Sequence, residues 1–451
     1  MNHKRSDVII VGAGLSGLVA ARCLVNNGVS VQILEAQDHV GGRIVDFKSI
    51  CGQRFSLGGD WFGTGEVRFN QLLAELELET AAVTTQGKMI VRLMGQTGIY
   101  AEEECVWLAP LLVPSTLVGA ELEQAFETIA TLAEQVSTAS PYLALAEYDR
   151  LTLASFRQQH IRDERQRKLF EMVVREETGR ALSETSLLTY LFIYQSSVKR
   201  LGDNLVVQGG TLRVIDKLAV PLSPHIKLNA PVQQICQDKN GVEVLTSAEA
   251  FSADHAILAL SPAVVNQIDF QPALPEAKRR LYANMQMGNI IKCVITYPEP
   301  FWYEQGLSGA LLSDEGPLEC TLDCGFQTKC GALIGYFIGD EATKWGQRTQ
   351  AERKQAVIKQ LVTFFGAKAG QPMEYMDINW PQAPFISGAY YASPLPGTLV
   401  AYGAAMRSRF GRIHWAGTET ASEWVGTLEG AVLAGEQAAR EILQEIMPNM
   451  A

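Results

Sequence analysis

The fold is decided near the N-terminus by the segment Val8–Leu24, which reads VIIVGAGLSGLVAARCL. The apolar, β-branched run from Asp7 to Val11 predicts a buried parallel strand, and the small-residue stretch after it predicts a helix. Between the two, Gly12, Gly14 and Gly17 have the G-x-G-x-x-G spacing, which permits a tight turn, close backbone approach to a pyrophosphate and close helix–strand packing. The segment therefore predicts a dinucleotide diphosphate site at a helix N-terminus.

Two features just downstream extend this prediction. A second predicted strand, Val29 to Leu34, ends in Glu35, the position about 20 residues past the glycines where an acidic side chain binds a ribose hydroxyl. A second glycine turn, Gly41 and Gly42, is followed by Arg43, whose planar guanidinium suits a diphosphate. Strand, turn, helix, strand and acid thus occur in the order of a Rossmann-like unit.

The opposite end of the chain carries a related unit. Residues Arg412–Leu443 read RIHWAGTETASEWVGTLEGAVLAGEQAAREIL, which predicts a strand, a turn and a helix rich in small residues. Together the two ends predict a single cofactor held by both, which points to a flavin enzyme.

Composition narrows the class of protein. The chain has 451 residues, 47% hydrophobic and 19% charged, as expected of a globular protein of two to three domains. A net charge of −11 with no basic block argues against nucleic acid or an anionic membrane as a partner. No apolar run reaches the length of a transmembrane helix, and the apolar N-terminal stretch carries the glycine fingerprint, so it is not an export signal.

The eight cysteines follow no regular framework. Cys320, Cys324 and Cys330 are close together, but their spacing suits neither a zinc site nor a redox pair, and no histidine is near. We therefore expect eight reduced thiols in a cytoplasmic protein, and no metal site.

Strands of nucleotide-domain character fall in three separate blocks, 4–80, 207–285 and 386–447, and we expect these blocks to form the cofactor-binding domain. The intervening blocks, 81–206 and 286–385, are expected to form an α+β substrate-binding domain. The expected fold class is thus α/β, with a discontinuous Rossmann-like domain and a second domain between its parts.

The whole pattern resembles the flavin-containing monoamine oxidase family nearly end to end. The segments that carry the resemblance are VGAGLSGL, LEAQDHVGGR, LGGDWFG, VQGG, APVQQI, MGNIIKC, NWPQAPFISGAYY and WAGTETASEWVGTLEGAV. The resemblance implies a p-hydroxybenzoate hydroxylase-like fold and oxidation of an amine to an imine, then an aldehyde or ketone, with electrons passed to O2 to give H2O2. Mammalian members bind the flavin covalently through a cysteine; Tyr390 stands at that position here, with Ala389 beside it, so the FAD is expected to be non-covalent.

The resemblance also implies the site residues. Those for the ADP half of FAD are Gly12, Gly14, Ser16, Gly17, Glu35, Arg43 and, through its backbone on the adenine side, Val232. Those around the riboflavin half are Gly59, Asp60, Trp380, Glu419 and Leu428. The residues expected to act on the substrate are Lys292, Tyr391 and Thr427.

Lys292, Tyr391 and Thr427 are expected to act on the substrate for different reasons. Lys292 lies in a predicted strand, Ile290–Tyr297, on a mostly apolar face, where a lysine is costly unless it has a task. The family places a lysine here, joined through water to flavin N5, to assist oxygen reduction or imine hydrolysis. Tyr391 falls on the first wall of the family's aromatic pair, whereas Thr427 stands where the second aromatic is usual. This half-cage implies room for a bulkier or secondary amine.

Two other interpretations stay open. An L-amino acid oxidase of the same superfamily would need a pocket arginine for the substrate carboxylate, for which Arg175 and Arg180 are candidates. A flavin-fold protein that only binds a partner is the third interpretation, although its fingerprint would be expected to decay. The expected partners are a small-molecule amine and either O2 or a protein electron acceptor, with no nucleic acid or membrane; a homodimer is left open.

Overall fold

The computed structural model describes residues 5–83, 86–108, 111–197, 204–325, 328 and 330–446. The strands, in chain order, are β1 Arg5–Val11, β2 Val31–Leu34, β3 Asp46–Lys48, β4 Arg54–Ser56, β5 Phe62–Gly63, β6 Thr80–Ala82, β7 Lys88–Leu93, β8 Gln96–Tyr100, β9 Cys105–Leu108, β10 Leu111–Pro114, β11 Asn204–Val207, β12 Ile226–Lys227, β13 Val232–Asp238, β14 Gly241–Thr246, β15 Ala250–Leu258, β16 Asp269–Gln271, β17 Met285–Met287, β18 Ile290–Tyr297, β19 Leu307–Ser313, β20 Cys320–Asp323, β21 Gly331–Ile338, β22 Glu374–Asn379, β23 Ala392–Pro394 and β24 Ile413–Trp415. The α-helices are α1 Leu15–Asn26, α2 Val67–Glu75, α3 Ala120–Ala133, α4 Leu153–His160, α5 Glu164–Thr178, α6 Leu187–Ser197, α7 Leu212–Leu222, α8 Pro262–Val265, α9 Glu276–Ala283, α10 Asp340–Gly346, α11 Gln350–Phe365, α12 Leu399–Tyr402 and α13 Leu428–Ile446.

The first large sheet, sheet I, has the strand order β12-β2-β1-β15-β14-β13-β16, and β24 pairs with β15. The strands β12, β2, β1, β15 and β24 run parallel to their neighbours, while β14 is antiparallel to both β13 and β15. The connection from β1 through α1 to the parallel strand β2 is the Rossmann-like unit predicted from the N-terminal glycines. The apolar run of β1 is buried because helices cover the sheet beside it.

Helices α1 and α13 cross closely beside sheet I. A methyl group added at Gly435 would lie 2.3 Å from the backbone oxygen of Ser16, so the two helices approach at a distance that only glycine permits. The first and last helices of the described chain are therefore packed against each other, although their contact residues are about 420 positions apart.

The second large sheet, sheet II, has the order β22-β18-β21-β20-β19-β7-β8. It is antiparallel except for the parallel pair β7 and β19. Strand β18 covers Ile290–Tyr297, as predicted, and all eight of its residues are buried. The strands of sheet II come from residues 88–100 and 290–379, so two chain segments meet in it; the limits of the two predicted domains stay a prediction, and residues 4 and 447 lie outside the described ranges.

Helices α3 to α6 fill most of the chain between residues 120 and 197. Helix α6 is buried on nearly all sides. Within the described ranges, no helix is long and apolar enough to span a bilayer.

Strand β12 adds in parallel to the edge strand β2, whereas β13, β14 and β15 form an antiparallel meander. One prediction from the sequence was wrong. All eight cysteines were expected to be reduced, but Cys51 and Cys330 form a disulfide whose Cα atoms are 6.7 Å apart. Their separation of 279 residues explains why local spacing gave no indication of the pair.

Candidate active site

The turn between β1 and α1 has an open side next to its second glycine. Gly12 has φ +102°, and a methyl group there would lie 2.7 Å from the Ala259 oxygen, so packing requires the first glycine. A methyl group at Gly14 would meet nothing nearer than the Gly41 oxygen at 3.9 Å. Helix α1 begins without a side-chain cap, so its first N–H groups face this opening. The turn is thus built for an anion such as a diphosphate.

Glu35 lies buried at the end of β2 beside this turn. Its carboxylate accepts hydrogen bonds from the backbone N–H of Ala13 at 2.7 Å and of Gln37 at 3.0 Å. Its backbone oxygen accepts from Ala230 at 2.8 Å, which brings the start of β13, at Val232, next to the same region. Glu35 and Val232 therefore lie near one another, as a shared role at the adenosine end would require.

Arg43 joins the N-terminal unit to the C-terminal one. Its Nη1 donates to the Tyr390 backbone oxygen at 2.7 Å and to Glu419 Oε1 at 3.2 Å. Glu419 is 1% exposed, and its Oε1 also accepts from the Ala392 N–H at 3.2 Å. The other oxygen, Oε2, is buried and has no hydrogen-bond partner among the described residues. A buried carboxylate oxygen in this state calls for a donor, such as a cofactor hydroxyl.

The segment Leu57–Asp60 is where three distant parts of the chain meet. Trp380 donates its indole N–H to the Leu57 oxygen at 3.2 Å, and Lys292 donates to the Gly58 oxygen at 2.7 Å. A methyl group at Gly59 would lie 3.7 Å from a side-chain carbon of Leu428. Trp380 and Leu428, two of the residues predicted for the riboflavin half, thus lie against the segment that carries Gly59 and Asp60.

Lys292 forms a buried ion pair that the sequence did not predict. Its Nζ lies 3.1 Å from Asp60 Oδ1, and Lys292 is 3% exposed. Burial raises the pKa of Asp60, and the nearby Lys292 ammonium opposes that rise. The ring of Tyr336, which pairs with Lys292 across β18 and β21, has its centroid 5.6 Å from Nζ. The sequence predicts Lys292 and Asp60 as separate site residues, and the fold shows that they touch.

Tyr391 packs beside the backbone that leads into Thr427, and Thr427 also caps a helix; the roles of both residues toward the substrate stay predictions. A methyl group at Gly426 would lie 2.3 Å from the Tyr391 ring, so the ring packs against the backbone just before Thr427. The Thr427 hydroxyl accepts from the Gly430 N–H at 3.1 Å, which makes it the N-cap of α13. A threonine just before a predicted helix is the sequence signal that could have predicted this capping role.

The N-termini of α2 and α13 are also tied together by two glutamates. The Glu429 carboxylate accepts from the backbone N–H groups of Arg68 at 3.0 Å and Phe69 at 2.5 Å. Glu66 accepts in return from the N–H of Glu429 at 3.4 Å. This exchange fixes the start of α13, and therefore the Leu428 N–H, relative to the segment that carries Asp60.

The fold and these sites define a dinucleotide-binding oxidoreductase whose cofactor contacts come from both ends of the chain. Comparison with known proteins extends this conclusion. A family model for the flavin containing amine oxidoreductases matches residues 15–443. The chain belongs to this family.

Similar proteins cover the whole chain. A probable flavin-containing monoamine oxidase A of Dictyostelium discoideum is 30% identical over 98% of this chain and 98% of its own. An L-amino acid dehydrogenase of Synechocystis is 33% identical over 97% of this chain and 94% of its own. Among solved structures, the cyclohexylamine oxidase from Brevibacterium oxydans has a TM-score of 0.90 and 31% identity, covering 98% of this chain and 99% of that one.

These findings confirm the predicted fold class, the FAD cofactor and the enzyme class. The protein is a flavin-dependent amine oxidoreductase that oxidises an amine. The glycine turn with its open side, the uncapped start of α1 and the unpartnered Glu419 oxygen fit FAD. The roles of individual residues are taken up as proposals below.

Proposed function

We propose that this enzyme oxidises a bulky or secondary amine beside Tyr391, with O2 as electron acceptor and H2O2 as product. FAD, when bound, accepts the hydride equivalent that leaves the amine carbon. The amine must be neutral at that moment, because an ammonium has no lone pair to drive the hydride out, and an apolar aromatic surface favours the neutral form. The observation that carries the proposal is the aromatic ring of Tyr391, which packs at Gly426 next to the small residue Thr427.

We propose that the cofactor is held without a covalent bond by residues from both ends of the chain. The residues proposed for the ADP half are Gly12, Gly14, Ser16, Gly17, Glu35, Arg43 and Val232. Those proposed for the riboflavin half are Gly59, Asp60, Trp380, Glu419 and Leu428. The convergence of Arg43, Trp380 and Lys292 on one neighbourhood supports these assignments. The positive end of α13, at Leu428, would stabilise negative charge on the reduced ring.

Lys292 is proposed to hold a water molecule at the reacting centre. A lysine ammonium has three N–H donors, and the Gly58 oxygen and Asp60 Oδ1 take two of them. The third has no acceptor among the described residues, and in this proposal it orients a water for imine hydrolysis or donates toward reduced oxygen. Lys292 therefore has a proton-donating and orienting role in this proposal, and it forms no bond with the substrate.

The main alternative is oxidation of an L-amino acid, because the Synechocystis relative is an L-amino acid dehydrogenase. That substrate needs an arginine for its carboxylate. Of the two candidates, Arg175 pairs with Glu319 and Glu171, and Arg180 pairs with Gln286 and Glu184. Both guanidinium groups thus already contact protein acceptors, which favours an amine without a carboxylate.

The experiment is an anaerobic titration of the oxidised enzyme, followed by admission of air. Cyclohexylamine, N-methylcyclohexylamine and putrescine represent bulky primary, secondary and linear amines, and L-phenylalanine and L-lysine represent amino acids. We expect the cyclic amines to bleach the flavin absorption fastest and the amino acids to leave it unchanged. Bleaching by amino acids alone would overturn the proposal.

Air then tests the acceptor. Return of the oxidised spectrum within the turnover time, with one H2O2 for each amine, is the expected result. A reduced enzyme that stays bleached in air but is reoxidised by an artificial acceptor would identify a dehydrogenase. A cytoplasmic location and a homodimer stay predictions.

A further inference from the structure

Two buried histidines face each other away from the active site. His255 lies on β15 and His414 on the neighbouring parallel strand β24, where His414 pairs in register with Ile257. Their ring centroids are 5.7 Å apart, and the rings are inclined at 54°. His414 is 0% exposed and His255 6% exposed. Two imidazoles are thus held together in the interior, without a role in FAD binding or amine oxidation.

Each ring has a nitrogen that nothing satisfies. His255 Nδ1 and His414 Nε2 are buried and have no hydrogen-bond partner among the described residues. A buried polar atom without a hydrogen-bond partner destabilises the folded protein, so two such atoms side by side require an explanation. Both rings belong to adjacent strands of one sheet, so the pairing of the two strands holds them at this distance.

The last turn of α13 brings carboxylates to the same place. One ligand atom each from His255, His414 and Glu445 lie within 4.8 Å of one another. Glu441, one turn earlier, bonds His414 Nδ1 at 2.8 Å. A carboxylate on one imidazole nitrogen orients the ring and leaves the other nitrogen for a metal, as is typical of protein metal sites.

We propose that His255, His414 and Glu445 bind a divalent transition-metal ion, Zn²⁺ by preference. Two imidazole nitrogens and one carboxylate oxygen are a zinc donor set, and a water completes a tetrahedron. The ion joins the end of α13 to β15 and β24 of sheet I. Its role is to hold the C-terminal helix, whose other end carries Leu428.

A bound ion would have to displace the cationic side chain that now pairs with Glu445. Arg409, on the surface, is ion-paired with Glu445. Arg412 is bonded to backbone oxygens, including that of Asp254, and Arg5 pairs with the Asp254 carboxylate. Glu445 must therefore release Arg409 before it can bind the ion. This costs little free energy, because an exposed ion pair of this kind contributes little to stability.

The test uses the FAD-loaded full chain without an affinity tag, freed of metal with a chelator. Titration with ZnCl2 in a calorimeter should give one ion per chain, and Zn²⁺ should raise the unfolding temperature. Glu445→Gln, at an exposed position where folding is not at risk, should weaken binding by about tenfold or more. His255→Ala should abolish the saturable binding. His39→Ala, an exposed histidine paired with Asp38, is the matched control and should bind Zn²⁺ as the unaltered chain does.

Arg409→Gln provides a test in the opposite direction. Because it releases Glu445, it should tighten Zn²⁺ binding several-fold while Glu445→Gln loosens it. Absence of saturable Zn²⁺ binding by the unaltered chain would overturn the proposal, and so would Glu445→Gln and His255→Ala proteins that bind Zn²⁺ as tightly as the unaltered chain. Neither outcome bears on amine oxidation, which is measured separately by flavin bleaching.

Discussion

Lys292 Nζ and Asp60 Oδ1 form a 3.1 Å ion pair between the middle of β18 and the loop that follows β4. Both groups are largely buried, and the raised pKa of Asp60 shows that burial opposes its charge. Removing one partner of a buried ion pair destabilises the protein more than replacing both, because the remaining charge stays buried and uncompensated. It therefore links the proposed catalytic lysine to the stability of the site.

Lys292→Met should impair both the reoxidation of the flavin and the stability of the folded protein. Without Lys292 the pKa of Asp60 rises further, so the folded protein binds a proton that the unfolded chain releases from about pH 4 upward. The free energy of unfolding should therefore fall as pH rises, by about 3 kcal/mol near neutrality relative to the unaltered enzyme. Chemical denaturation of the FAD-loaded protein at pH 5 and pH 7.5 measures this change.

The double variant Asp60→Asn/Lys292→Met is the control, because it removes the uncompensated carboxylate. It should recover most of the lost stability and show no such pH dependence. Stopped-flow reoxidation by O2 should be slower by about 100-fold in both variants if Lys292 donates toward reduced oxygen. Reoxidation at the normal rate in Lys292→Met would remove the proposed role.

Thr427 should affect stability through the cap that it provides. Thr427→Val keeps the shape of the side chain but removes the acceptor for the Gly430 N–H, so unfolding should become easier by about 1 kcal/mol. Thr427→Ser keeps the hydroxyl and should have little effect. Thermal unfolding of the two variants in parallel makes the comparison, and equal destabilisation would show that the cap is not what matters.

Lys278 should make stability rise with pH. It is 1% exposed, its Nζ lies 4.1 Å from the Trp415 ring centroid, and burial lowers its pKa to about 7. Between this value and the ordinary lysine pKa of about 10.4, the unfolded chain holds a proton that the folded chain does not. The free energy of unfolding should therefore rise with pH across this range, by at most about 1.4 kcal/mol per unit.

Lys278→Met should remove that dependence and stabilise the protein most at pH 7. Denaturation at pH 7 and pH 9.5 provides the measurement. Lys217→Met, which replaces an exposed lysine on α7, is the matched control and should follow the unaltered chain. A parallel pH response in Lys278→Met and the unaltered enzyme would contradict the assignment.

The Cys51–Cys330 bond gives a direct chemical prediction. Alkylation of the unfolded, unreduced chain should label six thiols, those of Cys23, Cys105, Cys236, Cys293, Cys320 and Cys324, and reduction should release two more. Peptide mass mapping should place the unlabelled pair at Cys51 and Cys330. Eight labelled thiols before reduction would instead agree with the reducing compartment that the sequence suggested.

Local pattern was enough to predict the elements whose signal lies within a few turns of chain. The glycine turn before α1, the strand around Lys292 and the helix after Thr427 each follow from periodicity and turn residues. Their approximate meeting place followed from the family resemblance. None of these predictions required knowledge of which distant residues touch.

The remainder depended on contacts between residues far apart in sequence. Asp60 and Lys292 are separated by 232 positions, and Arg43 and Glu419 by 376. Neither pair leaves a trace in local composition, because a charged residue in a loop looks the same whether or not it later finds a partner. His255 and His414 are likewise 159 positions apart in sequence, and the pairing of β15 with β24 brings them together.

The close crossing of α1 and α13 at Ser16 and Gly435 also constrains how the protein is made. A ribosome that has released only the first 400 residues has delivered the glycine turn but neither the strand β24 nor the helix that completes its surroundings. On the assignments proposed above, the binding site for FAD is therefore complete only after these last residues have been synthesised.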